Sequence, residues 1–167
     1  MRAKQLTVLS LAAATALMLS FIESVAGINL FVPGIKLGLA NAVPLLFVSV
    51  GRYRAALIVN ILRILLSAIF FGNPVSLIYS MAGGVLSWAA MCIALKVFKF
   101  SPFGISFIGG VFHNLGQLLS AAAVFGSLSV LSYLPYLIIA GAVCGALTGV
   151  AVTAILKNKN VKNFFLS

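Results

Sequence analysis

Residues 54–72 read RAALIVNILRILLSAIFFG, and this stretch decides the fold class. At 1.5 Å per residue its 19 residues extend about 28 Å as a helix, close to the roughly 30 Å of hydrocarbon in a bilayer. Its one internal charge is Arg63; apart from Asn60 and Ser67, everything around it is apolar. Working outward, four other stretches have the same length and character: about 6–26, 75–96, 104–126 and 133–156. A sixth, about 38–50, is shorter and carries Pro44, so the expectation is a short span or a partly re-entrant segment covered by neighbouring protein. The turns between them are plain: Gly51-Arg52-Tyr53-Arg54, Phe71-Gly72-Asn73-Pro74, Lys99-Phe100-Ser101-Pro102, and Gly126-Ser127 through Ser132. No connection is long enough to hold a soluble domain. The predicted fold is an all-α integral membrane six-helix bundle, a single membrane domain over 1–167, with a cytoplasmic tail at 157–167.

Composition agrees and excludes a good deal. The chain is 63% hydrophobic and 7% charged, against about a quarter charged residues in soluble domains. Eleven Lys and Arg face one acid, Glu23, for a formal charge of +10. Nucleic-acid-binding proteins set their cations in a polar surface; here they punctuate apolar runs, so no nucleic-acid partner is expected, and the lipid bilayer is. Two-carboxylate hydrolysis and two-metal phosphoryl transfer need several carboxylates, which one Glu and one His do not supply. Cys92 and Cys144 sit in separate apolar segments without metal-ligand spacing, so no metal site and no cofactor are expected, and both read as small buried hydrophobes.

Cations also set the expected orientation. With six spans and the N-terminus inside, Arg2, Lys4, Arg52, Arg54, Lys96, Lys99, Lys157, Lys159 and Lys162 fall on the cytoplasmic side. The outer loops at 72–74 and 126–132 carry none, which supports both termini being cytoplasmic in a multi-pass protein of the cell (inner) membrane. Met1-Arg2-Ala3-Lys4 and Ser24-Val25-Ala26 imitate a signal peptide with its cleavage site. Against that stand the length of the apolar stretch and Glu23 beside the cut.

Lipid supplies no hydrophobic drive between helices, so small residues four apart mark close packing. Gly141, Gly145 and Gly149 form a double GxxxG, read as packing within the chain, though a homodimer contact stays open. Ala12 and Ala16 share a face that could pack internally or dock another subunit.

Polar residues inside the apolar runs carry more information. A charge at the centre of a spanning helix costs about 2.5–3.5 kcal/mol on insertion scales. Arg63 lies about 13 Å along its helix from Arg54, too deep to snorkel. Asn60 and Ser67 share its face, and His113, Asn114 and Gln117 form a second cluster. Glu23 falls near the outer end of the first span, with Lys36 and Asn41 after it. Two readings compete. One is a Glu23–Arg63 ion pair with the amides bridging helices. The other is an outward-facing polar cavity in which Arg63 and Lys36 hold the phosphate or carboxylate of a small anionic substrate. Asn41, Asn60, His113, Asn114 and Gln117 then orient it. Tyr79 and Trp88 read as packing or as an aromatic wall, and Tyr79 joins the candidate substrate-binding set.

These residues fall in an ordered set of motifs. The stretch from Pro33 to Asn41, PGIKLGLAN, resembles the signature of the Gx transporter family. Arg63-Ile64-Leu65-Leu66-Ser67 with Phe71-Gly72, Tyr79 to Gly84, and Gly110 to Gln117 resemble it in order, so that the likeness runs from about 6 to 156. The same family carries the name heptaprenyl diphosphate synthase component I, and its six-helix plan is similar to the S components of energy-coupling factor (ECF) transporters. The resemblance implies a substrate-binding protein that works with a separate coupling subunit and ATPases. No GxxxxGK[ST] loop occurs here, in keeping with that division. It also implies that the alanine face at Ala12 and Ala16 is the partner interface; on the uptake reading, the 28–37 loop is expected to cap the pocket. The alternative name implies a prenyl diphosphate synthase, whose catalytic subunits need Asp-rich motifs. This chain has no Asp, and would be a noncatalytic membrane subunit at most. A membrane partner in quinone or flavin redox work and a structural scaffold complete the alternatives.

Overall fold

The computed structural model describes residues 3–25 and 38–166, and the described residues are helical apart from short turns, without a strand. Five helices are long and apolar enough to cross a membrane. They are α1 (Ala3–Val25), α3 (Tyr53–Phe71), α4 (Pro74–Lys96), α5 (Pro102–Phe125) and α6 (Leu134–Lys157). Their outward faces carry Leu11, Met18, Ile69, Ile93, Leu119 and Leu147, all exposed, as a lipid-facing surface requires. This is a multi-pass membrane protein.

Local chemistry fixes the ends. Asn73 caps α4: its side-chain oxygen accepts from Ser76 N–H at 2.8 Å, and Pro74 occupies the first turn. Ser101 and Pro102 start α5 in the same way, and Gly126, at φ +62°, ends it in the left-handed conformation.

Neighbouring contacts define the directions. Phe21 meets Phe71 with ring centroids 5.4 Å apart, and Ser20 meets Arg63, so α1 and α3 run parallel. Trp88 Nε1 donates to Tyr53 O at 3.0 Å, which places the end of α4 beside the start of α3. Between α5 and α6 the backbones touch. A Cβ on Gly141 would lie 2.6 Å from Gly110 O, and one on Gly145 would lie 2.6 Å from Ser106 O. The double GxxxG is therefore spent inside the chain, packing α6 against α5.

The short predicted span differs from its neighbours. A single 3-10 turn, Leu39–Asn41, leads into α2 (Ala42–Ser49), whose eight residues rise only about 12 Å. Unlike the long helices it is buried on nearly every face, from Val43 through Val48, so α2 is a core element that does not itself reach across a bilayer. Within the segment read as a tail, Lys159–Leu166 is a further helix, α7. Its apolar residues Val161 and Phe165 are half-buried, which is why the segment folds back instead of trailing.

Two apolar cores result. The larger joins α1, α2 and α3 with Met91, Ile105 and Val152 towards the end bearing the N-terminus. The smaller gathers Tyr79, Leu118, Ala121 and Leu137 near the other end. Between them lies a buried polar layer.

Candidate functional site

Arg63 is the centre of that layer. It stands about 12 Å from the Phe71 end of α3 and is 4% exposed. The planar guanidinium is held on three sides. Nε and Nη2 donate to Asn60 Oδ1 at 3.0 and 2.9 Å, Nη2 donates to Asn41 Oδ1 at 2.6 Å, and Nη1 reaches Ser20 Oγ at 3.4 Å. Asn60 sits one turn before Arg63 on the same face, as the i−3 spacing requires, and its amide nitrogen donates across to Gly84 O at 2.9 Å. Gly84 has to be small here, since a Cβ would lie 2.9 Å from the Asn60 amide.

Each atom bonded to the guanidinium in these contacts is a neutral oxygen. The charge that balances it is Glu23, buried on α1 and near enough to act on Arg63 electrostatically. Glu23 Oε1 also accepts from Gly38 N–H at 2.5 Å, at the point where the chain turns into α2.

Gly38 joins this cluster to the second one. Its φ of +90° belongs to the left-handed region, and a Cβ there would lie 2.9 Å from the His113 ring and 3.0 Å from the Asn41 amide nitrogen. His113 Nε2 and Gln117 Nε2 are 3.0 Å apart on one face of α5. Gly83 of α4 leaves the room for both. Beside Asn41 a cavity of about 10 Å³ is lined by Gly38, Ser106, Cys144 and Thr148, which is space for about one water molecule. The Asn41 amide nitrogen has no hydrogen-bond partner among the described residues.

The structure thus brings together Asn41, Asn60, Arg63, His113 and Gln117. It separates two other candidates from them. Asn114 turns to α6, donating to Leu137 O at 2.8 Å, and acts as a helix bridge. Tyr79 is wholly buried in the smaller apolar core. Lys36 and the 28–37 loop lie outside the described residues. Ala12 and Ala16 are buried in the larger core, so the α1 face left uncovered carries Leu11, Thr15 and Met18 in their place. Ser20 and Gly38 were not among the sequence candidates. Gly38 lay inside the quoted motif, where its left-handed turn was invisible; Ser20 carried no signal beyond being polar within an apolar run. Among the described residues no three His, Cys, Asp or Glu side chains gather as metal ligands would.

Comparison with known families matches residues 12–155, most of the chain, to the family described as heptaprenyl diphosphate synthase component I. The chain belongs to that family. No curated protein and no solved structure matches it. Every residue gathered around Arg63 lies inside the matched range, from Ser20 on α1 to Gln117 on α5.

Proposed function

We propose that this member of the family is the substrate-binding component of a membrane uptake system for a small anionic solute, similar to an ECF S component, with Arg63 holding the anionic group. The observation that carries the reading is a guanidinium buried midway along α3 on neutral acceptors, a position that falls at mid-membrane if α3 spans. An ionised residue at that depth is retained for function more often than for stability. A carboxylate or phosphate replacing Asn41 Oδ1 and Ser20 Oγ makes a bidentate pair in which both partners are charged, in place of two bonds to neutral oxygens. The released Asn41, with His113 and Gln117, then orients the solute. Since Asn41 Oδ1 and Ser20 Oγ now occupy the guanidinium and the cavity beside Asn41 is only about 10 Å³, loading requires the Leu39–Asn41 turn to move off Arg63. Lys36 remains a proposed contact at the outer end. Energy comes from separate ATPases through a coupling subunit. The protein sits in the cytoplasmic membrane with six membrane passages and both termini inside.

A second reading rests on the family's description: a noncatalytic membrane subunit of a heptaprenyl diphosphate synthase. It places the Asp-rich catalysis on another chain, since this one has a single acid, Glu23. Native mass spectrometry of gently solubilised protein from its host separates the two. A reproducible anionic adduct, kept by wild type and lost in both Arg63→Ala and Arg63→Lys, supports the binding protein; Lys keeps the charge but not the fork. An adduct unchanged in Arg63→Lys sinks the bidentate anion site. A bare protein accompanied by a soluble prenyl synthase replaces the uptake reading with the accessory one.

A further inference from the structure

The chain's single acid, Glu23, lies at the end of α1 away from the N-terminus. Helix alternation collects Arg54, Lys96, Lys99, Lys157, Lys159 and Lys162 at the opposite end. No carboxylate side chain of this chain can balance them there, so the counter-charge comes from outside it. These cations spread round the bundle, on α3, α4, α6, α7 and the turn after α4, with exposed Phe98, Phe100, Phe103 and Phe164 among them. A docked acidic protein would meet one side. A ring of cations interleaved with aromatic rings matches a plane, the headgroup layer of a leaflet.

Helix α7 is the element best placed to read that plane. Lys159 and Lys162 are exposed, while Val161 and Phe165, four residues apart, turn to the bundle. The Phe165 ring meets Phe47 of α2 edge-on at 5.1 Å. The backbone oxygen of Phe165 accepts from Arg52 Nη1 at 3.0 Å, and the Arg52 guanidinium lies 5.9 Å from the Phe47 ring centre. Phe47 itself is wholly buried. Helix α2 is therefore gripped at one end by α7 and Arg52, and at the other by the Asn41–Arg63 bond.

We propose that α7 is a membrane-surface helix that binds anionic phospholipid headgroups through Lys159 and Lys162, and that in this docked position it clamps α2 and so holds Asn41 on Arg63. The proposal stands or falls apart from the identity of the solute, because it is read at α7 and α2 directly.

Hydrogen exchange on the full chain tests it, in nanodiscs of phosphatidylcholine alone and in nanodiscs rich in phosphatidylglycerol. Phosphatidylglycerol is expected to slow exchange in α7, an effect that shrinks in high salt. The Lys159→Gln/Lys162→Gln variant is expected to lose up to about thirty-fold of that protection, at about fivefold per lysine. Phe165→Ala is expected to speed exchange in Ala42–Ser49 in both lipids while α5 stays unchanged, which shows that the bundle is folded. Arg52→Lys moves α2 in the same direction by less. Equal α7 exchange in the two lipids overturns lipid binding, as does protection that follows only an added acidic soluble protein. Unchanged α2 exchange in both Phe165→Ala and Arg52→Lys overturns the clamp.

Discussion

Arg63 and Glu23 form a small balanced system, and its balance is testable. Removing one member of a buried charge pair leaves the other uncompensated and costs about 3–5 kcal/mol, whereas replacing both by apolar or neutral groups is often close to neutral. Arg63→Ala alone is therefore expected to lower unfolding stability in detergent by about that amount. Glu23→Gln/Arg63→Met is expected to recover most of the loss, because no bare charge remains. Should the double variant be no more stable than Arg63→Ala, the two charges do not compensate each other. Gly38 carries a different demand. A Cβ there would sit 2.9 Å from the His113 ring, and φ is +90°. Gly38→Ala is expected to cost about 1–2 kcal/mol for the left-handed backbone, before any shift of His113 is added. A denaturant midpoint equal to wild type would remove Gly38 from the hub of the site.

Among the elements, contact between α5 and α6 is set by glycine, and the prediction there is comparative. A Cβ on Gly141 meets Gly110 O at 2.6 Å, whereas one on Gly104 has Phe100 Cβ at 3.4 Å, an easier distance. Gly141→Ala is expected to cost about 1–3 kcal/mol as overpacking that separates the two backbones. Gly104→Ala, half-buried in the first turn of α5, is expected to be near neutral or slightly stabilising. Equal thermal shifts for the two would mean that the close approach of α5 and α6 contributes little. The long helices were legible in the sequence because twenty apolar residues without a break have one physical use. The polar spacing also spoke plainly: Asn60 lies one turn from Arg63, and His113 one turn from Gln117. Contacts between helices were less legible. Nothing in the order of residues showed that Asn41 reaches Arg63 while Asn114 turns away to Leu137, since both are buried asparagines. Helix α7 was read as tail because two adjacent phenylalanines among lysines and asparagines make a weak apolar run; it folds only where α2 and Arg52 offer Phe165 a partner.

For the molecule as a whole, parity ties these elements to an orientation. Helices α1 and α3 run parallel, so the chain between them must return, and buried α2 is the described part of that return. Helices α3, α4, α5 and α6 then alternate through turns at 72–73 and 126–133, neither of which holds a cation. Every described cation except Arg63 thus falls at one end of the bundle, where the positive-inside tendency puts the cytoplasm. Single cysteines test this in a background lacking Cys92 and Cys144. Ser129→Cys, in the exposed turn before α6, is expected to react with a membrane-impermeant maleimide in intact cells. Asn160→Cys, on the exposed face of α7, is expected to react only after the cells are opened. The reverse pattern would turn the protein over in the membrane, and Arg63 would then have to be loaded from the cytoplasm. Labelling of both positions in intact cells would break the parity itself, because α6, the helix that separates Ser129 from Asn160, would then not cross the membrane.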